Sequence, residues 1–218
     1  MGKKSIKEIR KEIRAVISAI LDLIYPPLNK CIVCSSEGFI GICPLCESKI
    51  KRVEKQDHIL SYGYYGGILK ELILAFKYEK NFTAAKIISE LLLDLIYERK
   101  IECDVICYVP MSKNSIKKRG FNQCEVIAKH LSEELNIPVS KSLIKIKDTK
   151  EQKSLSKEER YKNIKDAFEI RDKKILNKRI LLIDDVVTTG ATLLECEKIF
   201  KKYNVEEITV LTIAKSHI

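Results

Sequence analysis

The sequence has no stretch typical of a secretory leader and no apolar run long enough to span a bilayer. Near the N-terminus, the apolar stretch 15–21 follows a charged segment, ends at Asp22 and carries no small-residue cleavage site. A membrane-spanning helix needs about 20 apolar residues, so this stretch is too short. The two absences argue against secretion and membrane insertion, and they predict a cytoplasmic protein without a transmembrane segment. Its eight cysteines are therefore expected to stay reduced.

Tryptophan is absent as well, and few aromatic residues stand among the basic segments. This scarcity argues against a dedicated surface on which nucleic-acid bases stack. The net charge of +10 fits a phosphate-rich ligand, nucleic acid or an anionic membrane, and it fits equally a genome that favours lysine. Hydrophobic residues make up 45% of the 218 positions, enough for one α/β core with a small appendage.

Half of the cysteines form two C-x-x-C pairs with eight residues between them. The pairs are Cys31 with Cys34 and Cys43 with Cys46. In a reduced protein this spacing favours one tetrahedral Zn²⁺ held by four thiolates, with iron–sulfur ligation as the lesser alternative. Four thiolates leave no open coordination position, so the site is predicted to be structural. The other cysteines are interpreted as small core residues, and they are Cys103, Cys107, Cys124 and Cys196.

A second motif lies near the C-terminus, where an apolar run over 180–183 ends in Asp184 and Asp185. A Thr/Gly loop and a helical pattern follow at once. The loop residues are Thr188, Thr189, Gly190, Ala191 and Thr192. This order predicts a buried parallel strand whose carboxyl end carries polar groups, at the edge where open α/β sheets bind ligands. The hydroxyls and backbone N–H groups of the loop, at the start of a helix, offer a site for an anion.

Two carboxylates beside an anion site would repel a phosphate unless they contacted another part of the ligand. A ribose 5-phosphate meets both needs, because its 2- and 3-hydroxyls donate to the carboxylates while its phosphate occupies the loop. The 13-residue pattern 180–192 resembles the 5-phosphoribosyl 1-diphosphate (PRPP) motif of the type I phosphoribosyltransferases. The alternative is an ordinary strand–turn–helix with a solvated aspartate pair.

Another polar turn is expected at the same sheet edge, after a strand predicted over 104–109. Lys113 and Arg119 follow this strand, and in the phosphoribosyltransferase fold this turn holds the diphosphate leaving group. The polar segment 145–165 either includes a short helix at 156–162 or acts as a mobile lid over the ligand. A solvated loop is the alternative. The cations expected to meet bound diphosphate there are Lys147, Lys150, Lys153 and Arg160.

Alternating strand and helix patterns predict an α/β fold with a parallel, right-handed βαβ sheet. Strands are expected over 59–65, 104–109, 137–144, 166–170, 179–184 and 207–213, and helices over 82–97, 121–135 and 190–203. Three parts follow: an amphipathic helix at 1–25, a four-cysteine zinc ribbon at 26–56 and a phosphoribosyltransferase-like domain at 57–218. Within that domain 57–100 is a hood or linker and 101–218 the core. The N-terminal helix packs on its own domain or binds a membrane surface or partner.

Several short motifs stand in a fixed order along the chain. They are the segment 21–27, the paired cysteines, Lys77-Tyr78, Val109-Pro110, the run Arg119 to Gln123, the spaced residues Gln152, Leu155, Ser156, Arg160 and Asn163, and the PRPP motif. Together they resemble the ComF family, in which a zinc ribbon is fused to a type I phosphoribosyltransferase-like domain and which is linked to natural DNA uptake. The resemblance begins near residue 20, so residues 1–19 are an addition to the pattern.

This resemblance implies binding of PRPP, with Asp184 and Asp185 at the ribose, 188–192 at the 5-phosphate, and transfer of the phosphoribosyl group as the expected activity. Lys113, Arg119 and Lys77 would neutralise the diphosphate together with Mg²⁺, which usually binds through substrate phosphates. Gln152 resembles the family's loop glutamine and would reach the diphosphate or the acceptor, with an exposed spacer residue as the alternative. The competing hypothesis is a non-catalytic module that handles single-stranded DNA together with a DNA-uptake translocase or helicase.

Overall fold

The computed structural model describes residues 29–54, 58–149 and 156–216. In chain order its elements are α1 (Pro44–Glu47), β1 (Ile59–Tyr64), α2 (Gly67–Glu79), α3 (Phe82–Glu98), β2 (Val105–Tyr108), α4 (Lys113–Arg119), α5 (Gln123–Leu135), β3 (Leu143–Lys145), α6 (Lys157–Ile164), β4 (Phe168–Ile170), a 3₁₀ turn (Lys173–Ile175), β5 (Arg179–Val187), α7 (Ala191–Lys201) and β6 (Glu207–Lys215). The helix predicted at 1–25 and three predicted ligand-binding residues, Lys150, Gln152 and Lys153, lie outside the described residues.

Four parallel strands form the central sheet in the order β1-β6-β5-β2. The apolar run of β5 lies between two neighbours, and Leu181 pairs with Ile106 on one side and Thr209 on the other. A strand enclosed in this way needs apolar residues on both faces, which explains its uninterrupted hydrophobic run. The sheet confirms the predicted α/β fold, and β1 adds an edge strand from the region expected to be a hood or linker.

Successive residues of β5 point to opposite faces of the sheet, and each face has its own core. Leu181 and Ile183 pack into the cluster formed with α2, α3 and α5. Ile180 and Leu182 pack into the cluster formed with α7 and with β3 and β4. The sheet is therefore covered on both sides, and its ligand-accessible groups are confined to the strand ends.

The sequence-based assignment of two strands was wrong in part. The segment predicted as one strand over 137–144 touches the sheet at Val139, which bridges to Ile106 in parallel, and then leaves it. Residues Leu143–Lys145 pair instead with Phe168–Ile170 in a separate two-stranded antiparallel sheet. Phe168 and Ile170 are buried while Glu169 is exposed, so the residues alternate between buried and exposed as predicted for a strand. The strand pairs with the nearby β3 and not with the central sheet.

The turn after β2 also differs from the prediction, because it contains the short helix α4. The Ser112 side chain caps this helix by accepting from the backbone N–H of Ser115 at 3.2 Å. Gly120 ends it with a φ of +92°, a left-handed conformation that suits glycine. The Asn122 amide then donates to the backbone oxygen of Val109 at 3.1 Å and its side-chain oxygen caps α5. Asn122 thus ties the start of α5 to the end of β2.

The cysteine-rich segment packs against the N-terminal part of the domain. Gly41 has a φ of +93°, and a Cβ added there would come within 2.6 Å of Ile87 Cδ1 on α3. The buried cysteines of this segment contact Ile68, in the first turn of α2. The close approach requires glycine at position 41 and fixes the segment against α2 and α3.

Candidate functional site

The end of β5 and the start of α7 bring the carboxylates and the Thr/Gly loop together at one edge of the sheet. Asp184 and Asp185 lie in the C-terminal half of β5, and Gly190 precedes α7 with a φ of +74°. The Thr189 hydroxyl accepts from the backbone N–H of Ala191 at 3.4 Å. The first N–H groups of an eleven-residue helix therefore lie beside the threonine hydroxyls, an arrangement suited to an anion.

These groups line a cavity of about 200 Å³. One wall is formed by the β5–α7 loop, and the opposite wall by the turn after β2. The lining residues include Val109, Pro110, Met111, Ser112, Ser115, Lys145, Phe168, Asp184, Asp185 and the whole loop 188–192. The two turns that the sequence placed at one sheet edge thus share a single cavity. This agreement follows from the parallel direction of β2 and β5.

Asp185 is the centre of a hydrogen-bonded network that draws on distant parts of the chain. The ammonium of Lys77 lies 2.7 Å from Asp185 Oδ2, and the amide of Gln123 donates to the same oxygen. Arg119 in turn donates to Gln123 Oε1 at 2.6 Å, and its guanidinium lies 5.6 Å from the centre of the Tyr78 ring. Both cations were expected near the diphosphate, but Lys77 is engaged at the Asp185 carboxylate and Arg119 at the Gln123 side chain.

The two adjacent carboxylates have different environments. Burial alone would raise the pKa of Asp185, but the Lys77 ammonium and the Gln123 amide lower it below its usual value. Burial and the neighbouring charge of Asp185 raise the pKa of Asp184 to about 7. Asp184 Oδ1 accepts from the backbone N–H of Asp185 at 2.8 Å and faces the Cys124 thiol at 3.7 Å. Asp185 is thus held as an anion, whereas Asp184 exchanges a proton more readily.

The turn after β2 presents hydroxyls to the cavity rather than the predicted lysine. Lys113 is the first residue of α4 and its side chain is exposed, while Ser112 and Ser115 line the cavity. The Ser112 hydroxyl donates to that of Ser115 at 3.0 Å. Hydroxyl groups at the start of a helix suit phosphate oxygens. The turn therefore remains suited to a phosphate group, through serine hydroxyls instead of a lysine ammonium.

Helix α6 covers the Thr/Gly loop from outside. The Arg160 guanidinium donates to the Thr188 hydroxyl at 2.9 Å, and the Tyr161 hydroxyl donates to the backbone oxygen of Thr189 at 3.1 Å. A reciprocal capping box between Ser156 and Glu159 starts this helix. The short helix predicted in this segment is confirmed at Lys157–Ile164, and Arg160 was among the predicted cations. A role as a lid stays a prediction.

Three residues of the site were not predicted as functional. Gln123 and Tyr161 contact the site through hydrogen bonds that join separate elements, and Lys145 lines the cavity from the end of β3. The run Arg119 to Gln123 drew attention to Gln123 only as part of a motif. Lys145 stands among many lysines of similar pattern, so only its place in the fold distinguishes it.

The four cysteines of the two C-x-x-C pairs come together as predicted. Their sulfur atoms all lie within 4.8 Å of one another, and the sulfurs of Cys34 and Cys43 are 3.7 Å apart. Zn–S bonds of about 2.3 Å in tetrahedral geometry require sulfur–sulfur distances of about 3.8 Å. The backbone N–H of Cys43 donates to Cys31 Sγ at 3.4 Å, and a hydrogen bond with the Ser36 hydroxyl lowers the pKa of Cys34 to about 6. The cluster fits a tetrahedral metal ion.

The remaining cysteines are buried, as predicted for core residues. Cys124 is the one beside Asp184, and burial together with that carboxylate raises its pKa well above the usual value. Its thiol therefore stays protonated. In the part of the chain that the structure describes, no helix has both the length and the apolar character to cross a membrane.

Comparison with known proteins agrees with this geometry. A model of the phosphoribosyl transferase domain matches residues 121–217, so the fold and the β5–α7 motif define a phosphoribosyltransferase-like domain. Competence protein F of Haemophilus influenzae is 32% identical over 78% of both chains. Competence protein ComFC of Bacillus subtilis is 29% identical over 79% of this chain and 78% of its own, and DNA utilization protein YhgH of Escherichia coli is 25% identical over 78% of both. The chain belongs to the competence protein F (ComF) family.

Proposed function

We propose that this protein binds PRPP with Mg²⁺ and transfers its phosphoribosyl group to an acceptor. The observation that carries the proposal is the shared cavity, in which the pair Asp184 and Asp185 stands directly before a threonine-rich helix N-terminus. A sugar phosphate suits this combination because its hydroxyls donate to carboxylates while its phosphate accepts from N–H and O–H groups.

In this assignment each wall of the cavity contacts a different part of PRPP. Asp184 and Asp185 bind the 2- and 3-hydroxyls of the ribose. The 5-phosphate binds to the residues of the β5–α7 loop, which are Thr188, Thr189, Gly190, Ala191 and Thr192. The diphosphate lies toward the turn after β2. Lys113, Lys77 and Arg119 contribute positive charge only at longer range, because Lys113 is exposed and the other two are engaged at Asp185 and Gln123. Gln152 of the polar segment is expected to contribute. When bound with PRPP, Mg²⁺ would add positive charge beside the diphosphate oxygens.

Transfer of a phosphoribosyl group depends on positioning and electrostatics. As diphosphate leaves, positive charge develops at C1 of the ribose, and the acceptor attacks that carbon. The ionised Asp185 would stabilise this charge, and its burial would strengthen the interaction by weakening dielectric screening. The side chains of α6 over the loop restrict water, which would otherwise compete with the acceptor.

We propose in addition that Cys31, Cys34, Cys43 and Cys46 hold one structural Zn²⁺. The sulfur spacing and the hydrogen bond to Cys31 Sγ support this assignment. The proposed division of the chain follows from it, with the ribbon at 26–56 and the phosphoribosyltransferase-like domain at 57–218. None of the eight cysteines forms a disulfide, which is consistent with the reducing cytoplasmic location that we propose.

The second candidate function is a non-catalytic module for single-stranded DNA, acting with a DNA translocase. The names of the relatives, which refer to competence and DNA utilization, favour it, and the net charge of +10 is compatible with it. Salt-sensitive binding of a labelled oligonucleotide, with no consumption of PRPP in an acceptor screen, would support this function over transfer.

Calorimetric titration with PRPP and Mg²⁺ tests the primary proposal. The wild-type protein is compared with the Asp184→Asn/Asp185→Asn variant and with a matched control, Glu90→Gln/Asp94→Asn, which neutralises two exposed carboxylates on α3. We expect the first variant to lose at least about tenfold in affinity, or about 1.4 kcal/mol, and the control to bind as the wild type does. Equal affinities in all three proteins would refute the ribose assignment.

A further inference from the structure

Lys145 is a partly buried cation at the end of β3, beside the proposed ligand. Its ammonium donates to the Thr149 hydroxyl at 2.7 Å and lies 5.7 Å from the centre of the Phe168 ring. Among the described residues, no carboxylate forms an ion pair with it. The ammonium therefore contacts a hydroxyl and an aromatic face, but no counter-charge.

Such an arrangement is costly in the ligand-free protein. Burial lowers the pKa of Lys145, and the nearby Cys196, Asp148 and Asp184 offset this effect only in part. A charge withdrawn from water is normally paired, because an unpaired one loses hydration without compensation. An anion entering the cavity would supply the missing partner, and the resulting charge-assisted hydrogen bond would be strong.

The position of Lys145 indicates which part of the ligand it meets. Of the described residues that line the cavity, Lys145 is the only lysine or arginine. The chain that follows it is fixed to the turn after β2, because the Asn114 amide on α4 donates to Asp148 Oδ2 at 2.8 Å. Lys145 thus belongs to the diphosphate side of the cavity, whereas the loop 188–192 already offers N–H and O–H groups to the 5-phosphate.

We propose that Lys145 binds the diphosphate of PRPP and so determines the preference of the site for PRPP over ribose 5-phosphate. The assignment rests on the proposed function, and it gives Lys145 the contact that the sequence had suggested for Lys77 and Arg119. Those two cations are engaged at Asp185 and Gln123, and Lys113 is exposed.

The test compares three ligands, namely PRPP with Mg²⁺, ribose 5-phosphate, and inorganic diphosphate with Mg²⁺, by calorimetry on the full chain. Lys145→Met should weaken PRPP and diphosphate binding at least about tenfold and leave ribose 5-phosphate within about twofold. Lys145→Arg should restore most of the PRPP affinity. The matched control is Lys202→Met, an exposed lysine after α7 that does not line the cavity, which should change none of the affinities.

The outcomes separate this inference from the proposed function. If the wild type binds PRPP and Lys145→Met binds it equally well, the inference is wrong and the proposed function stands. A parallel loss for ribose 5-phosphate would also overturn it, since Lys145 would then act at the 5-phosphate or on the fold. A wild type that binds none of the three ligands would refute both. Thermal melting without ligand should show Lys145→Met at least as stable as the wild type, and Lys145→Gln provides a second variant for the same titrations.

Discussion

The cysteine-rich segment at 29–54 and the parallel sheet reach a folded structure by different means. The buried residues of the segment's own cluster are three of its cysteines, and its regular structure is a four-residue helix and isolated bridges. The sheet is covered by an extensive apolar cluster on each face. A small segment cannot bury enough apolar surface to be stable alone, so we expect its stability to depend on the proposed metal ion, whereas that of the sheet depends on packing.

The polar groups of the cysteine-rich segment and of the sheet edge are satisfied by different kinds of partner. In the ribbon the four thiols converge on one point, where a metal ion would satisfy them. At the sheet edge Asp185 is satisfied by Lys77 and Gln123, which come from other elements. Removal of a single group should therefore unfold the ribbon locally, but at the sheet edge it should cost a limited free energy and leave the fold intact.

The largest expected effect is at the ribbon. Cys31→Ser, or removal of the metal by a chelator, should abolish hydrogen-exchange protection across 29–54, because structural zinc contributes about 10 kcal/mol in small sites. The sheet should keep its protection and its melting transition. Cys103→Ala, at a buried cysteine outside the cluster, is the control and should keep both metal and ribbon. Hydrogen-exchange protection of residues 29–54 that persists without metal would contradict the expectation that this segment depends on a metal ion for its stability.

The reverse experiment removes apolar packing from the sheet. Phe200 on α7 is fully buried in the second cluster, and Phe200→Ala should lower the free energy of unfolding by about 3–5 kcal/mol. The metal should stay bound in the native protein, as measured by elemental analysis beside urea unfolding. Leu194→Ala on the same helix, at a residue that is 40% exposed, should cost less than about 1 kcal/mol. Comparable losses in the two variants would show that the cluster contributes less than its burial indicates.

A smaller effect is expected at the charge pair of the sheet edge. Lys77→Met leaves the largely buried Asp185 without its ammonium, and we expect a loss of about 3 kcal/mol in the free energy of unfolding. Adding Asp185→Asn should recover part of this loss, because the unpaired charge is removed. Lys70→Met, on the exposed face of the same helix, is the control and should be nearly neutral. Equal costs for the single and double variants would argue against direct coupling.

A further test is a dependence of stability on pH that originates at Asp184. Its pKa is raised to about 7 in the folded protein and is about 4 when unfolded, so the native state favours the protonated carboxyl. The stabilisation is complete below about pH 4 and is lost as the pH rises toward 7. Asp184→Asn should abolish this part of the pH dependence in urea unfolding series. If the free energy of unfolding of Asp184→Asn changed with pH as steeply as that of the wild type between those pH values, the pH dependence would originate at other groups.

Sequence patterns predicted the parts of the fold whose signal is local. The run 180–192 joins a buried strand, two carboxylates and a helix start without interruption, and the structure places them as expected at β5 and α7. The C-x-x-C pairs converge because all four cysteines lie within sixteen residues, and a segment this short cannot form a hydrophobic core of its own. Helix α4 was missed because its pattern is lysine-rich, and a seven-residue helix without buried residues has no apolar periodicity to detect.

What the sequence by itself determined was the class of the chain: an α/β domain with a carboxylate pair before an anion-binding loop, joined to a four-cysteine cluster. Only the tertiary structure decided that Lys77 binds Asp185, that Arg160 reaches Thr188, and that Lys145 lines the cavity with no ion-pair partner among the described residues. It also decided that β3 pairs with β4 in antiparallel fashion. The first set depends on residues adjacent in the chain, whose spacing fixes their chemistry. The second depends on which distant cation or strand meets a given partner, and that choice is made by packing over the whole domain.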